Sequence, residues 1–153
     1  MYFTVGVVVG KQEFGETDII YTLYTKAYGK IRARAQGIRK EGGKLRGHLE
    51  IMSLSRIGIV FGKMSTRLIY AELIHFWPCI RTDFARLRAA HLIIHWVDTR
   101  CFDFQQDEPL FDFLTESLTF LNETSSSRDA LEEFLRLRKK HFLFLLGEEV
   151  SGQ

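Results

Sequence analysis

A chain of 153 residues with 46% hydrophobic, 26% charged and 13% aromatic side chains is long enough to bury a core, as one domain or two small ones. Two prolines, twelve glycines and a mean hydropathy of −0.06 argue against a disordered or collagen-like polymer and against an integral membrane protein. The net charge of +2 conceals an asymmetry: residues 1–80 carry 12 Lys and Arg against 6 Asp and Glu, while residues 81–153 carry 9 against 13, which points to an anionic partner for the first part.

The first residues lack a basic n-region and a cleavage site, and no run nears the roughly 20 apolar residues of a spanning helix, so a cytoplasmic location is expected. Phe3, Val5, Val7 and Val9 alternate, as do Ile19, Tyr21 and Leu23, then Ile31, Ala33 and Ala35, which predicts three half-buried strands. From His48 to Phe61 the chain is β-rich but shifts phase near Ser53 to Arg56, predicting one bulged, curved strand, and Thr66 to Phe76 supplies a fifth. Turns are expected at Ala27-Tyr28-Gly29, Glu41-Gly42-Gly43 and Gly62-Lys63. Five short strands within some 75 residues predict a small closed barrel, with an OB-fold as the leading case.

Beyond that point the period becomes helical. Phe84, Leu87, Ile94 and Val97, widened by Leu92, Ile93 and Trp96, predict a largely buried helix from Arg81 to about Thr99. A second helix starts at Pro109 and runs through Leu110, Leu114, Leu118 and Leu121. Ser126 with Asp129 resembles a capping box for a third, whose stripe of Leu131, Phe134, Leu135, Phe142 and Leu145 ends at Gly147. The fold class is therefore α+β: an OB-fold domain over residues 1–78 and a three-helix domain over 79–153.

The strongest constellation lies on the third strand. With a period of two, Lys30, Arg32, Arg34 and Gln36 project from one face while Ile31, Ala33 and Ala35 project from the other. Tyr24 and Lys26, across the turn, have the phase to add a stacking ring and a further cation to that outer face. Arg39, Lys40, Lys44 and Arg46 extend the charge into the next loop, so that Lys26 to His48 holds eight cations and one acid. An unmixed cationic row beside an aromatic suits a nucleic-acid backbone with bases stacked alongside; the competing reading is an aggregation-resistant edge strand.

These residues also carry a family resemblance. Gly15-Glu16-Thr17-Asp18, Tyr21-Thr22-Leu23, Gly29-Lys30, Gly37 with Arg39-Lys40, Gly47-His48-Leu49 and Ala71-Glu72-Leu73 leading to Phe76 resemble the RecO family of bacterial recombination mediators. Leu110-Phe111, Phe134 and Leu146-Gly147 continue the likeness along nearly the whole chain. The resemblance implies a non-enzymatic DNA repair and recombination protein with an OB-fold and a helical domain. It further implies binding of single- and double-stranded DNA, strand annealing, and partnership with RecR and SSB during RecA loading, in the bacterial cytoplasm and at the nucleoid when DNA is bound. Typical members continue past the position of Gly147, often with four zinc-binding cysteines; with the chain ending at Gln153, no zinc and no other cofactor are expected. Two alternatives stand beside this: an adaptor for RecR or the SSB tail with weak DNA binding, and an OB-fold RNA-binding module.

Other clusters read as structural. His91, His95 and Asp98 share a helical face, but their apolar neighbours argue for packed or hydrogen-bonded histidines rather than metal ligands. Cys79 and Cys101 read as small buried hydrophobes, and Asp107, Glu108 and Asp112 suit a helix N-terminus better than a carboxylate site. No Gly-Lys-Ser/Thr phosphate loop occurs, so an NTPase is not expected. Arg136, Lys139 and Lys140 share one side of the third helix and are candidate contacts for an acidic partner, or else a solvated helix face.

Overall fold

The structure, a computed structural model, describes residues 1–40, 43, 45–124 and 127–148. Five strands form a closed barrel: β1 (Tyr2–Phe14), β2 (Asp18–Thr25), β3 (Gly29–Ala35), β4 (Leu54–Phe61) and β5 (Thr66–His75), in the order β1-β2-β3-β5-β4. All neighbours are antiparallel except β3 and β5, whose short parallel pairing at Ala33–Thr66 and Arg34–Arg67 helps close the barrel. This is the architecture of an OB-fold. β1 is far longer than its alternating stretch suggests because it serves two neighbours: Tyr2 to Val7 pair with β4, and Gly6 to Phe14 with β2, the register shifting between Val8 and Gly10.

The alternation on β3 is realised. Ile31, Ala33 and Ala35 are fully buried and join Val8, Tyr21, Leu23, Ile57, Ile59 and Leu68 in the barrel core. The segment expected as one bulged strand from His48 to Phe61 is not one. It begins as a one-turn 3-10 helix (Arg46–His48), and β4 starts only at Leu54. The physical reason is local competition for backbone groups: the Ser53 hydroxyl donates to the Glu50 carbonyl (2.5 Å) and the Ser55 hydroxyl to the His48 carbonyl (2.6 Å). Met52 N–H and Ser53 C=O instead exchange bonds with Val8 (2.8 and 3.0 Å).

Four helices follow: a single turn, α1 (Pro78–Arg81), and three long ones, α2 (Phe84–Arg100), α3 (Glu108–Glu123) and α4 (Arg128–Leu145). Ser126, expected to cap α4, lies outside the described residues; the N-cap is Ser127, whose hydroxyl accepts from Ala130 N–H at 3.3 Å. Ile93, Val97, Leu114, Leu118, Leu121 and Phe142 are buried, with Phe142 set between Phe113 and Trp96. No described helix is long and apolar enough to cross a membrane.

By internal contacts the chain forms two compact units, Met1–Phe76 with Asp98–Glu108, and Trp77–Val97 with the residues from Pro109 onward. The first crossing falls near the boundary expected at residues 78 and 79. The return of Asp98–Glu108 to the barrel unit is not foreseen by the sequence, and it decides which cations remain open.

Candidate nucleic-acid interface

Strand register lays out the outer face of β1, β2, β3 and β5 in rows, since directly paired residues share a face. One row is Gly10–Thr22–Arg32, and the next is Gln12–Ile20–Arg34–Arg67. Arg32 and Arg67 are exposed and form no ion pair among the described residues. Gly10 and the half-buried Thr22 leave low ground beside Arg32, so its guanidinium can meet a phosphate without competition from a tall neighbour.

Arg34 is held in place. Its Nε donates to Asp18 Oδ2 at 2.7 Å, its Nη2 lies 2.5 Å from the same oxygen, and its guanidinium sits 4.5 Å over the Phe14 ring. Asp18 Oδ1 also accepts from Gly37 N–H (2.8 Å) and the Thr17 hydroxyl (3.0 Å). The Gly37 amide first, and then Arg34, hold the Asp18 carboxyl below the ordinary carboxylate range. A depressed folded-state pKa stabilises the fold fully above the unfolded value near 3.9, and that contribution is lost as pH falls through the folded value. Thermal melts between pH 5 and 2.5 are therefore expected to show a steeper loss below about pH 4 in the wild type than in Asp18→Asn.

The other expected cations are dispersed. Arg39 donates from Nη1 to the Gly15 carbonyl (3.1 Å) and lies 3.5 Å from Glu13, which ties it to the β1–β2 turn. Lys40 is exposed, Lys44 lies outside the described residues, and Arg46 is exposed on the 3-10 helix. The Tyr21 hydroxyl has its pKa raised chiefly by burial and further by Glu50, with Arg46 opposing. Lys26 reaches Glu108 at 3.4 Å, both side chains about half exposed.

Two of the expected contacts are covered. Tyr24 and Lys30 do share the outer face of β2 and β3, paired directly across the ladder. The Asp98–Glu108 segment lies over them. Phe104 N–H donates to the Lys30 carbonyl (2.8 Å), Asp103 bridges Lys30 in parallel, and Lys30 Nζ donates to the Asp98 carbonyl (2.6 Å) beside the Asp98 carboxylate (3.1 Å). Tyr24 is only 1% exposed, so it is no stacking surface. Its hydroxyl is buried against Cys101 without a hydrogen bond of ordinary geometry, and burial first, then the nearby Cys101 and Asp107, push its pKa far up.

The chain's N-terminal half matches a known pattern: the family described as "Recombination protein O N terminal" covers residues 1–77, the barrel with its closing strands. The chain belongs to the RecO family. It is 28% identical over 146 residues to the DNA repair protein RecO of Gloeothece citriformis, covering 95% of this chain and 51% of that one. To the DNA repair protein RecO of a Synechocystis strain it is 31% identical over 117 residues, 76% of this chain and 43% of that one. With the Exiguobacterium protein of the same description it shares 28% over 140 residues, 90% and 55% of the two chains. The chain thus spans about half the length of the curated RecO relatives it matches.

In this RecO-family chain, sequence reasoning missed Arg67 and Phe14. Arg67 joins the basic rows through a parallel pairing that leaves no local trace, and Phe14 follows Lys11, Gln12 and Glu13, where the apolar alternation has lapsed. Of the cations expected on the helices, Arg136 is forked onto Glu133 (2.7 and 3.0 Å), Lys139 Nζ sits 4.7 Å over the Trp96 ring, and Lys140 is half-buried. His91 and His95 lie exposed rather than packed, and Asp98 is engaged by Lys30; no group of three metal-binding side chains occurs among the described residues. Cys79, expected to be buried, is exposed, and Cys101 is half-buried.

Proposed function

We propose that the barrel binds DNA through its phosphates and serves DNA repair and recombination, with Arg32 and Arg67 at the centre of the contact. The observation that carries the reading is the pair of open rows across β2, β3 and β5, where Arg32 on β3 and Arg67 on β5, neither in an ion pair among the described residues, flank the anchored Arg34. The exposed Lys40 and Arg46, which follow β3 in the chain, are further phosphate contacts in this reading, as are Arg39 and Lys44 on sequence grounds alone. A surface of this kind holds two strands close and screens their repulsion while base pairing supplies sequence recognition, which is strand annealing without nucleotide hydrolysis. Family membership supports single- and double-stranded DNA as ligands, RecR and SSB as partners in RecA loading, and a cytoplasmic site of action.

The test is salt. Engagement of about four phosphates on a single strand predicts a log-log slope of affinity against salt near −2.8. Titration of a labelled oligonucleotide between about 50 and 200 mM salt, together with annealing of complementary strands, measures it. A flat response removes the phosphate reading, and competition between DNA and RNA oligomers separates the DNA reading from the RNA module.

One observation favours the adaptor reading as a second role. In the helical unit, Phe84, Leu92, Leu131 and Leu135 line a groove of about 590 Å³ rimmed by Arg88 and Arg128. Glu132 also lines the groove and pairs with Arg128 (3.0 Å), so the apolar walls with Arg88 are what would suit a partner segment that is both hydrophobic and acidic. Arg136, Lys139 and Lys140 do not line it.

A further inference from the structure

With Tyr24 covered, the ring that the basic rows retain among the described residues is Phe14, already stacked beneath Arg34. Four other rings meet elsewhere on the barrel unit. Tyr2 opens β1, Tyr28 lies in the β2–β3 turn, Phe61 ends β4, and Phe104 comes from the covering segment. Phe61 is the hub, with ring centroids 5.3 Å from Tyr2, 5.3 Å from Tyr28 and 5.9 Å from Phe104. The rings are tilted or edge-on to one another rather than stacked. Tyr2, Phe61 and Phe104 remain 54%, 38% and 55% exposed, which is unusual for contacting aromatics that pack only to stabilise a core.

Backbone conformation singles out Phe104. Among the described residues three non-glycine positions have positive φ: Met52 (68°), Trp77 (47°) and Phe104 (58°). Left-handed backbone is costly for such side chains. Met52 and Trp77 are 1% exposed, so burial offsets that cost. Phe104 takes the same conformation and presents its ring to water, tied down by its N–H bond to Lys30. Strain that positions an exposed side chain is the pattern expected of a binding group.

Charge says what the rings would receive. Phe61 pairs with Thr66, and Thr66 pairs with Ala33, which lies between Arg32 and Arg34 on β3. Phe61 is therefore two strand spacings, about 10 Å, from Ala33 and on the same side of the sheet as that core residue. A strand held by the outward-facing arginines thus reaches the rings by crossing the rim of the barrel. The chain from Phe61 to Arg67 carries Lys63 and Arg67 and no acid; Asp103, whose backbone bridges Lys30, is the acid that adjoins Phe104. Flat apolar faces beside cations match a polyanion with unstacked rings.

We propose that Phe61 and Phe104, with Tyr2, form a platform on which unpaired bases stack while the phosphates of the same strand lie on Arg32 and Arg67, an inference that rests on the DNA reading above. A duplex, whose bases are already stacked, gains nothing from it. Phe104→Ala and Phe61→Leu are each expected to weaken binding of a labelled single strand about tenfold to a hundredfold, leaving the salt slope and duplex affinity unchanged. An abasic strand of equal length binds the wild type as weakly as the variants bind the intact strand. Thermal melts establish folding, and Phe104→Leu, which keeps apolar bulk without a ring, carries the comparison if the alanine variant does not fold. Variants that bind the intact strand as tightly as the wild type, with the wild-type slope preserved, overturn the platform and leave the phosphate reading standing. A wild type without salt-dependent binding overturns both.

Discussion

Reversing Arg32 and Arg67 together to glutamate is expected to weaken single-strand binding about a hundredfold and to flatten its log-log salt slope by about 1.4. Each arginine on the open rows contributes one phosphate contact, and loss of one contact on a single strand lowers the slope by about 0.7. A charge-assisted hydrogen bond is worth about 1.5–3 kcal/mol, so two lost contacts cost about 3 kcal/mol or more, which is about two powers of ten. Both side chains are exposed on the outer face and away from the core, so the barrel itself should stay folded. The control must carry the same change in net charge away from the face. Arg128→Glu with Arg136→Glu meets that condition, because both residues belong to the helical unit, where they pair with Glu132 and Glu133. Lys30→Gln gives a second contrast. Its charge is already spent on Asp98, so the variant should lose thermal stability while the salt slope stays as it was. If the double reversal leaves both affinity and slope intact, phosphates do not bind on β3 and β5.

The barrel was readable because its strands obey a local rule. Small apolar side chains at 31, 33 and 35 alternate with long cations at 30, 32 and 34, and only one of the two sets can face a core. Sequence phase therefore located the outer face of β3 correctly. Whether that face meets water is a different question, settled by contacts 68 residues or more along the chain, such as Lys30 with Asp98. Residues 101–107, with two exposed phenylalanines among polar neighbours, show neither helical nor strand periodicity, so nothing local marks them as a covering segment. Tyr24 was misjudged for that reason. The same gap hid the aromatic hub, since Tyr2, Tyr28, Phe61 and Phe104 come from four separate places in the chain. On the helices, the stripe of α4 was clear, whereas α2 looked apolar all round; its Leu92 is partly exposed because it walls the groove.

Gly29→Ala is expected to lower stability by about 3 kcal/mol and to uncover the face of Tyr24 and Lys30. Gly29 has φ of 68°, where an L side chain costs about 1–2 kcal/mol, and a Cβ there would collide with the backbone carbonyl of Gln105. The obstacle is main chain, so no rotamer change relieves it; the covering segment must move, and overpacking of that kind costs about 1–3 kcal/mol more. For a chain of this size the two together correspond to a fall in Tm of roughly 6–12 °C. Moving the segment breaks the Phe104–Lys30 backbone bond and takes Cys101 from the Tyr24 hydroxyl, so two spectroscopic readouts should follow. Tyr24, whose pKa is held far above the ordinary value by burial, should titrate at a markedly lower pH than in the wild type. Cys101, whose thiol pKa is likewise raised by burial, should react with a thiol reagent at a rate approaching that of the exposed Cys79, whereas the wild type shows one fast and one slow thiol. Should the alanine variant melt at the wild-type temperature with Tyr24 and Cys101 still protected, the segment does not lie against Gly29 in solution.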